Sequence, residues 1–190
     1  MENQNLEFYT VNLDYLEYLS KIDSEVYYTQ SYKATNHQKP FLGTIVGLSN
    51  YDYFIPIASA KPKHLNWNLT SDSHYIIHEI IDKSNAIAGS LYKPHTNKTD
   101  IIHILAILDI KKMIPIKSGL YTQIDFSKIQ DINYRNLLQK EYNFCSSNKA
   151  NIINTATKLY TEQINNGKIR HAHCNYSLLE QSLKNYKPNK

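Results

Sequence analysis

The stretch PFLGTIVGLSNYDYFIPIASAKPKH, residues 40–64, decides how the chain is read. Residues 40–48 are apolar and rich in strand formers, and they read as a β-strand. Residues 51–59 read the same way, and Ser49 and Asn50 supply a turn between the two runs. The second run stops abruptly. Ser59, Lys61, Lys63 and His64 follow at once, with Pro62 stiffening the chain between the lysines. A hairpin turning at Ser49–Asn50 sets Lys39 opposite Ala60, and one turning at Asn50–Tyr51 sets it opposite Pro62. Either register brings Lys39 to the end that carries Ser59, Lys61 and Lys63. Like charges gathered at one edge repel unless an anion joins them, and lysine binds phosphate as a point charge. The other reading of the same spacing is a solvated strand end.

Working outward, LEFYTV (6–11) alternates as a short strand, and Asn12 reads as the N-cap of a helix through LDYLEYLSKI. That helix sets Leu13, Leu16, Leu19 and Ile22 roughly on one face. Residues 23–38 are polar and Tyr-rich, and read as loop. HYIIHEII (74–81) is Ile-rich and reads as a strand, with a helix as the alternative. Residues 83–100 read as a loop-like excursion. IIHILAILDI (101–110) reads as a buried strand that MIPI (113–116) continues after a bulge or turn. From Asp131 the apolar period becomes helical, with a break near Ser146–Asn148, a stop at Gly167 and a last amphipathic helix over 175–186. Strands followed by helices predict an α+β fold: a small antiparallel barrel or bent sheet with helices packed on it. Without a repeat or a linker, residues 1–190 read as one domain.

The composition sets bounds on function. The chain has 190 residues, 42% hydrophobic and 20% charged, a globular balance rather than a disordered one. Its net charge of +4 suits a polyanionic partner without requiring one. No apolar stretch is long enough for a signal peptide or a membrane span, so a cytoplasmic protein with no membrane partner is expected. Cys145 and Cys174 then read as free thiols. With five glycines and no Gly-rich phosphate loop, the chain calls for no cofactor. His74 and His78 are four apart, a zinc-binding spacing on a helix, but His-x-x-x-His-Glu is not the metalloprotease order. In HAHC (171–174) no second ligand pair stands nearby. No metal site is expected; a metal-dependent hydrolase using His74 and His78 remains a third reading.

Six segments in order carry a resemblance: EFYTVNLDYLEYLSKIDSEV, KPFLGTIVGL, YFIPIASAKPKH, LAILDIKKMIPI, YRNLLQKEYNFCSSNKANIINTATKLY and CNYSLLEQSLKNY. Together they resemble the ToxN/AbiQ endoribonuclease toxins of bacterial type III toxin–antitoxin systems. Residues 65–100 match poorly, and 83–100 reads as an insertion. The resemblance implies an SH3-like barrel related to the MazF and Kid toxins, with added helices. It implies metal-independent, sequence-selective RNA cleavage that leaves 2′,3′-cyclic phosphate and 5′-hydroxyl ends. The implied substrate is cellular or phage mRNA. The implied partner is an RNA antitoxin of pseudoknotted repeats, assembled with the toxin into a hetero-oligomer that acts in phage defence by abortive infection. It places catalytic roles on Ser59, Lys61 and Lys39. The first hydroxyl of the family's pair falls on Ala58, a departure. A family tyrosine falls on Thr35, and Tyr32 takes its place only if the loop is longer. Lys63, His64, Trp67 and Tyr32 are the expected RNA-binding residues, Trp67 by stacking. His64 is also the one nearby imidazole able to move a proton. A non-catalytic RNA-binding module is the alternative, kept open by Ala58.

Overall fold

A computed structural model describes residues 6–35, 38–44 and 51–188. Strand β1 (Glu7–Val11) leads through Asn12 into helix α1 (Leu13–Ile22). The Asn12 side chain accepts from the Tyr15 N–H at 3.0 Å, the capping bond expected of it. The buried stripe of α1 is Tyr15, Leu16 and Leu19, while Ile22 lies at the exposed end. Helix α2 (Ser31–Thr35) interrupts what the composition suggested was continuous loop. Strands β2 (Phe41–Thr44) and β3 (Asp52–Ser59) pair antiparallel, as the opening stretch predicted. The proposed turn and the second half of the 40–48 strand lie outside the described residues.

The register differs from both expectations. Phe41 faces Pro56 and Leu42 faces Ile55, and the ladder continues with the Ile57 N–H donating to the Pro40 carbonyl. One step further sets Lys39 opposite Ala58, short of Ala60 and Pro62. The two assumed turn positions set Lys39 two and four residues too far along the partner strand. Gly43 is held to its place by contact: a Cβ there would come within 2.4 Å of the Tyr9 ring, which stacks on Phe54.

Strand β4 (Tyr75–Asp82) resolves the helix-or-strand ambiguity over 74–81. Residues 83–100 are not all loop, because β5 (Leu91–Pro94) pairs with β6 (Asp100–Leu108). Strands β7 (Ile114–Ile116) and β8 (Tyr121–Gln123) complete an eight-stranded antiparallel sheet in the order β4-β6-β3-β2-β1-β8, with β5 on β6 and β7 on β3. Among the described residues β4 and β8 do not pair with each other. The sheet is therefore open, which corrects the barrel alternative. β8 is three residues long and polar at two of them, too short for its pattern to stand out.

One edge of β3 has two partners. Ile57–Ser59 pair with β6 and Asp52–Phe54 pair with β7. Between β6 and β7 the chain makes a 3₁₀ turn over Ile110–Lys112, the turn rather than the bulge of the two anticipated before MIPI. Helices α3 (Ile132–Ser147), α4 (Lys149–Asn166) and α5 (Tyr176–Asn185) follow. Gly167, at φ 61°, ends α4 in the left-handed region where glycine carries no Cβ penalty. The central strands are buried on both faces. Ile57, Ile77, Ala106 and Leu108 join the main core, whereas Ala58, Ile76, Ile104 and Ile107 form a smaller core on the other face. Tyr27 and Trp67 pack on this second core. Cys145 and Cys174 are buried free thiols.

Candidate active site

The end of β3 is where the two faces meet. Alternation sends Ile57 and Ser59 toward α3, and Ala58 toward the 3₁₀ turn over Pro62–Asn66. A groove of about 500 Å³ opens at this end. Tyr32, Lys39 and Ser59 line it together, with Ile57, Leu105, Ala106 and α3 residues completing its walls. Tyr32, on α2, thus shares the groove with Lys39 and Ser59. The Thr35 side chain lies outside the described ones.

Lys39 is half-buried, with its ammonium 5.5 Å from the centre of the Tyr27 ring. Burial lowers its pKa below the ordinary lysine value, and the charge of Lys61 lowers it further. That electrostatic contact brings Lys61 to the same end of the sheet. Lys61 and Lys63 are exposed, and Ser59 is exposed at the strand terminus. Among the described residues neither Lys39, Lys61 nor Lys63 has an ion-pair partner.

His64 stands differently from the expectation of an RNA-facing imidazole. It is 4% exposed, and its Nδ1 accepts the Lys61 backbone N–H at 2.9 Å. Burial is the first cause, and Lys63 the next, of a lowered pKa, so the ring is neutral near pH 7 with Nδ1 as its acceptor. Trp67 is partly exposed. Its ring packs against His64 and His74 at 4.6 and 4.5 Å between centroids. The ammonium groups of Lys63 and Lys111 lie 5.6 and 5.1 Å from it, within cation–π range. Lys93 of β5 donates to the carbonyls of Leu65 and Trp67 and ties the excursion to this turn. His74 is held by Ser71 and by the Asn68 carbonyl, and His78 by the Ile76 carbonyl.

Sequence reasoning missed the neighbours that come from far along the chain. The turn between β6 and β7 brings Asp109, Lys111 and Lys112 beside β3. Asp109, 3% exposed, accepts from the Tyr27 hydroxyl at 2.6 Å and lies 3.6 Å from the Lys111 ammonium. Lys112 is buried and ion-paired with Glu25, 5.9 Å from the Tyr27 ring. On α3, Glu141 and Tyr134 line the groove. The only sequence signal for Glu141 was a charge on the apolar stripe of a helix.

Fold and groove together define an α+β protein whose strand end gathers hydroxyls, tyrosine rings and cations without ion-pair partners among the described residues. The chain belongs to the ToxN family of toxins of type III toxin–antitoxin systems, whose family model matches residues 7–184. Endoribonuclease ToxN of Bacillus thuringiensis subsp. kurstaki is 24% identical over 192 residues, covering 96% of this chain and 85% of that protein. Endoribonuclease ToxN of Pectobacterium atrosepticum is 26% identical and covers 95% of this chain and 94% of that protein. A solved toxin structure from work on selective toxin inhibition by a non-coding RNA pseudoknot superposes with a TM-score of 0.72 at 23% identity, covering 98% of this chain and 100% of that one. The lactococcal anti-phage endoribonuclease AbiQ superposes with a TM-score of 0.68 at 21% identity, covering 96% of this chain and 98% of that one.

Proposed function

We propose that the chain is an endoribonuclease toxin that cuts RNA at the Lys39–Ser59–Lys61 groove. It does so without a metal and leaves 2′,3′-cyclic phosphate and 5′-hydroxyl ends. The observation that carries the reading is a set of lysines at one strand end without ion-pair partners among the described residues; Lys39 lines the groove beside Ser59, and its pKa is depressed by burial and by Lys61.

Transesterification needs a base for the 2′-hydroxyl, charge stabilisation on the phosphorane and a proton for the 5′-oxygen. Lys39, in its neutral form, takes the 2′-hydroxyl proton. The 2′-oxygen attacks phosphorus, and the bond from phosphorus to the 5′-oxygen breaks. The Lys61 ammonium holds the non-bridging oxygens and supplies the proton to the departing 5′-oxygen. Ser59 positions the phosphate by hydrogen bonding, and no covalent intermediate on it is needed. Tyr32 lines the approach to the scissile bond. His64 acts on Lys61 from behind, fixing its backbone. Lys63 and Trp67 extend the contact along the RNA.

The substrate is cellular or phage mRNA, and the inhibitor is an RNA antitoxin of pseudoknotted repeats that occupies the same groove within a toxin–RNA assembly. Phage defence in the cytoplasm follows as the role. Among the described residues no helix is long and apolar enough to cross a membrane. The open sheet is a divergent version of the SH3-like MazF and Kid barrel, in one domain over 1–190 with 83–100 inserted. Ala58 favours one other reading, RNA binding without cleavage, because the family's hydroxyl pair is reduced to Ser59. Incubating the protein with a long RNA in EDTA separates the two. Discrete cuts with cyclic-phosphate ends support cleavage, intact RNA retained on the protein supports binding alone, and cutting lost in EDTA overturns the metal-independent mechanism.

A further inference from the structure

A base for the 2′-hydroxyl must stand at a fixed place, yet Lys39 has no carboxylate partner among the described residues. Continued past Pro40, the β2–β3 ladder sets Lys39 opposite Ala58, whose side chain has no polar atom to offer. What lies against the ammonium is the face of the Tyr27 ring, its centre 5.5 Å away and within cation–π range. The ring is itself held. It packs on the small core of Ala58, Ile76, Ile104 and Ile107. Its hydroxyl donates at 2.6 Å to Asp109, a buried carboxylate in the turn between β6 and β7. The Lys112 ammonium, paired with Glu25, stands 5.9 Å from the ring centre. Burial and then Asp109 push the Tyr27 pKa up, so the hydroxyl stays a donor and the ring stays neutral while a lysine of lowered pKa titrates.

We propose that Tyr27 is the positioning residue of Lys39: its ring face holds the lysine at the groove, and its hydroxyl bond to Asp109 fixes the ring. The inference rests on the cleavage reading above and adds to it a residue that acts only through Lys39. A carboxylate in the ring's place would hold the lysine more firmly, but it would also raise the pKa and keep the group charged. That is the arrangement of Lys112 with Glu25. An aromatic face attracts an ammonium through its quadrupole and adds no charge of its own. The lysine is then held and still able to give up its proton. Lys61 acts on Lys39 through its charge, and Tyr32 shares the groove with it. Asp131, Tyr134 and Glu141 line the wall that α3 forms. All of these stay in place when position 27 alone is changed, so a change in Lys39 reports on the ring.

The test substitutes Tyr27 in the full chain and follows two readouts. One is the pH dependence of single-turnover cleavage of a long RNA. The other is the titration of the Lys39 ammonium itself, by NMR of lysine-labelled protein, with the signal assigned by its loss in Lys39→Arg. Tyr27→Leu keeps an apolar side chain over the small core and removes the π face. Lys39 then stays half-buried while its ammonium loses an attraction. Both the titration and the plateau of the rate profile are expected about half a pH unit or more below wild type. The plateau rate is expected to fall about 10–100-fold, the scale of a misplaced catalytic group. Tyr27→Phe keeps the ring and retains the wild-type titration. A merely structural role gives the opposite sign, because a loosened pocket admits water and returns Lys39 toward the ordinary lysine value. A titration that rises or stays put in Tyr27→Leu, a plateau rate equal to wild type, or a Tyr27→Phe protein that titrates like Tyr27→Leu overturns the proposal. If the unaltered protein leaves RNA uncut and the Lys39 titration still falls in Tyr27→Leu, the cleavage reading fails and the positioning stands.

Discussion

Two sets of lysines stand at neighbouring strand ends, and their surroundings differ. At the end of β3, Lys39, Lys61 and Lys63 have no carboxylate partner among the described residues. In the turn between β6 and β7, Lys111 faces Asp109 and Lys112 is paired with Glu25. The same side chain thus does two jobs within one patch. A paired, buried cation fixes the local structure, because removing its partner strands a charge. An unpaired cation at a groove leaves an electrostatic vacancy that a phosphate fills. Tyr27 joins the sets, with Lys39 and Lys112 against its ring and its hydroxyl on Asp109.

The sharpest way to break this distinction is Lys61→Ala. Loss of one preorganised charge at the phosphorane is expected to lower the cleavage rate by about 10²–10³-fold. Because Lys61 is exposed, the thermal midpoint should barely move. Single-turnover cleavage and a melting curve on the same sample check both halves; a folded variant that cuts at the wild-type rate removes Lys61 from the mechanism.

Next in size is the pH dependence. Lys39 acts as a base only when neutral, and its pKa lies below the ordinary lysine value of about 10.4. The cleavage rate should rise about tenfold per pH unit through neutrality and level off at the Lys39 pKa. In Lys61→Ala the residual rate should level off at higher pH, because the second cause of the depression is gone. A rate that falls as pH rises through this range assigns the base elsewhere.

The paired set should answer in stability. Glu25→Gln leaves the buried Lys112 ammonium without its carboxylate. The expected loss is about 1–3 kcal/mol, below the value for a fully buried pair because Glu25 is 39% exposed. A lowered urea midpoint with an unchanged slope is the result to look for. An unchanged midpoint means that Lys112 is solvated in solution.

The smallest effect belongs to Lys63. It is exposed and lies against Trp67. Lys63→Ala should flatten the dependence of log affinity on log salt by roughly one unit, for all RNAs alike. Ser59→Ala should leave that slope unchanged. Equal slopes for wild type and Lys63→Ala place Lys63 outside the RNA contact.

The β2–β3 hairpin, the capped α1, the two-part helix after Asp131 and the stop at Gly167 were legible because each rests on neighbours in sequence. So was the gathering of Lys39, Ser59 and Lys61, which needed only strand pairing. The register was not, because it depends on what happens between Thr44 and Tyr51, where alternation gives no count. β5 hid inside a polar excursion, since among the described residues Leu91–Pro94 pairs on one edge only and has little apolar content. Glu141 and Asp109 were unreadable for a different reason. They reach the groove through packing of α3 and pairing of β6 with β3, contacts across more than forty residues that no local period encodes.

The backbone N–H of Cys174 donates to the carbonyl of Lys111, and the Tyr53 hydroxyl donates to Glu180. These bonds close the cationic turn and the middle of β3 with the last part of the chain. Proteins emerge from the ribosome in order, and non-local contacts wait for their later partner. The cationic end of β3 is therefore synthesised long before its supports. A nascent or prematurely terminated chain that stops before residue 174 holds Lys39, Ser59 and Lys61 without the assembly that aligns them. On the proposed mechanism, cleavage waits for the last helix to leave the ribosome.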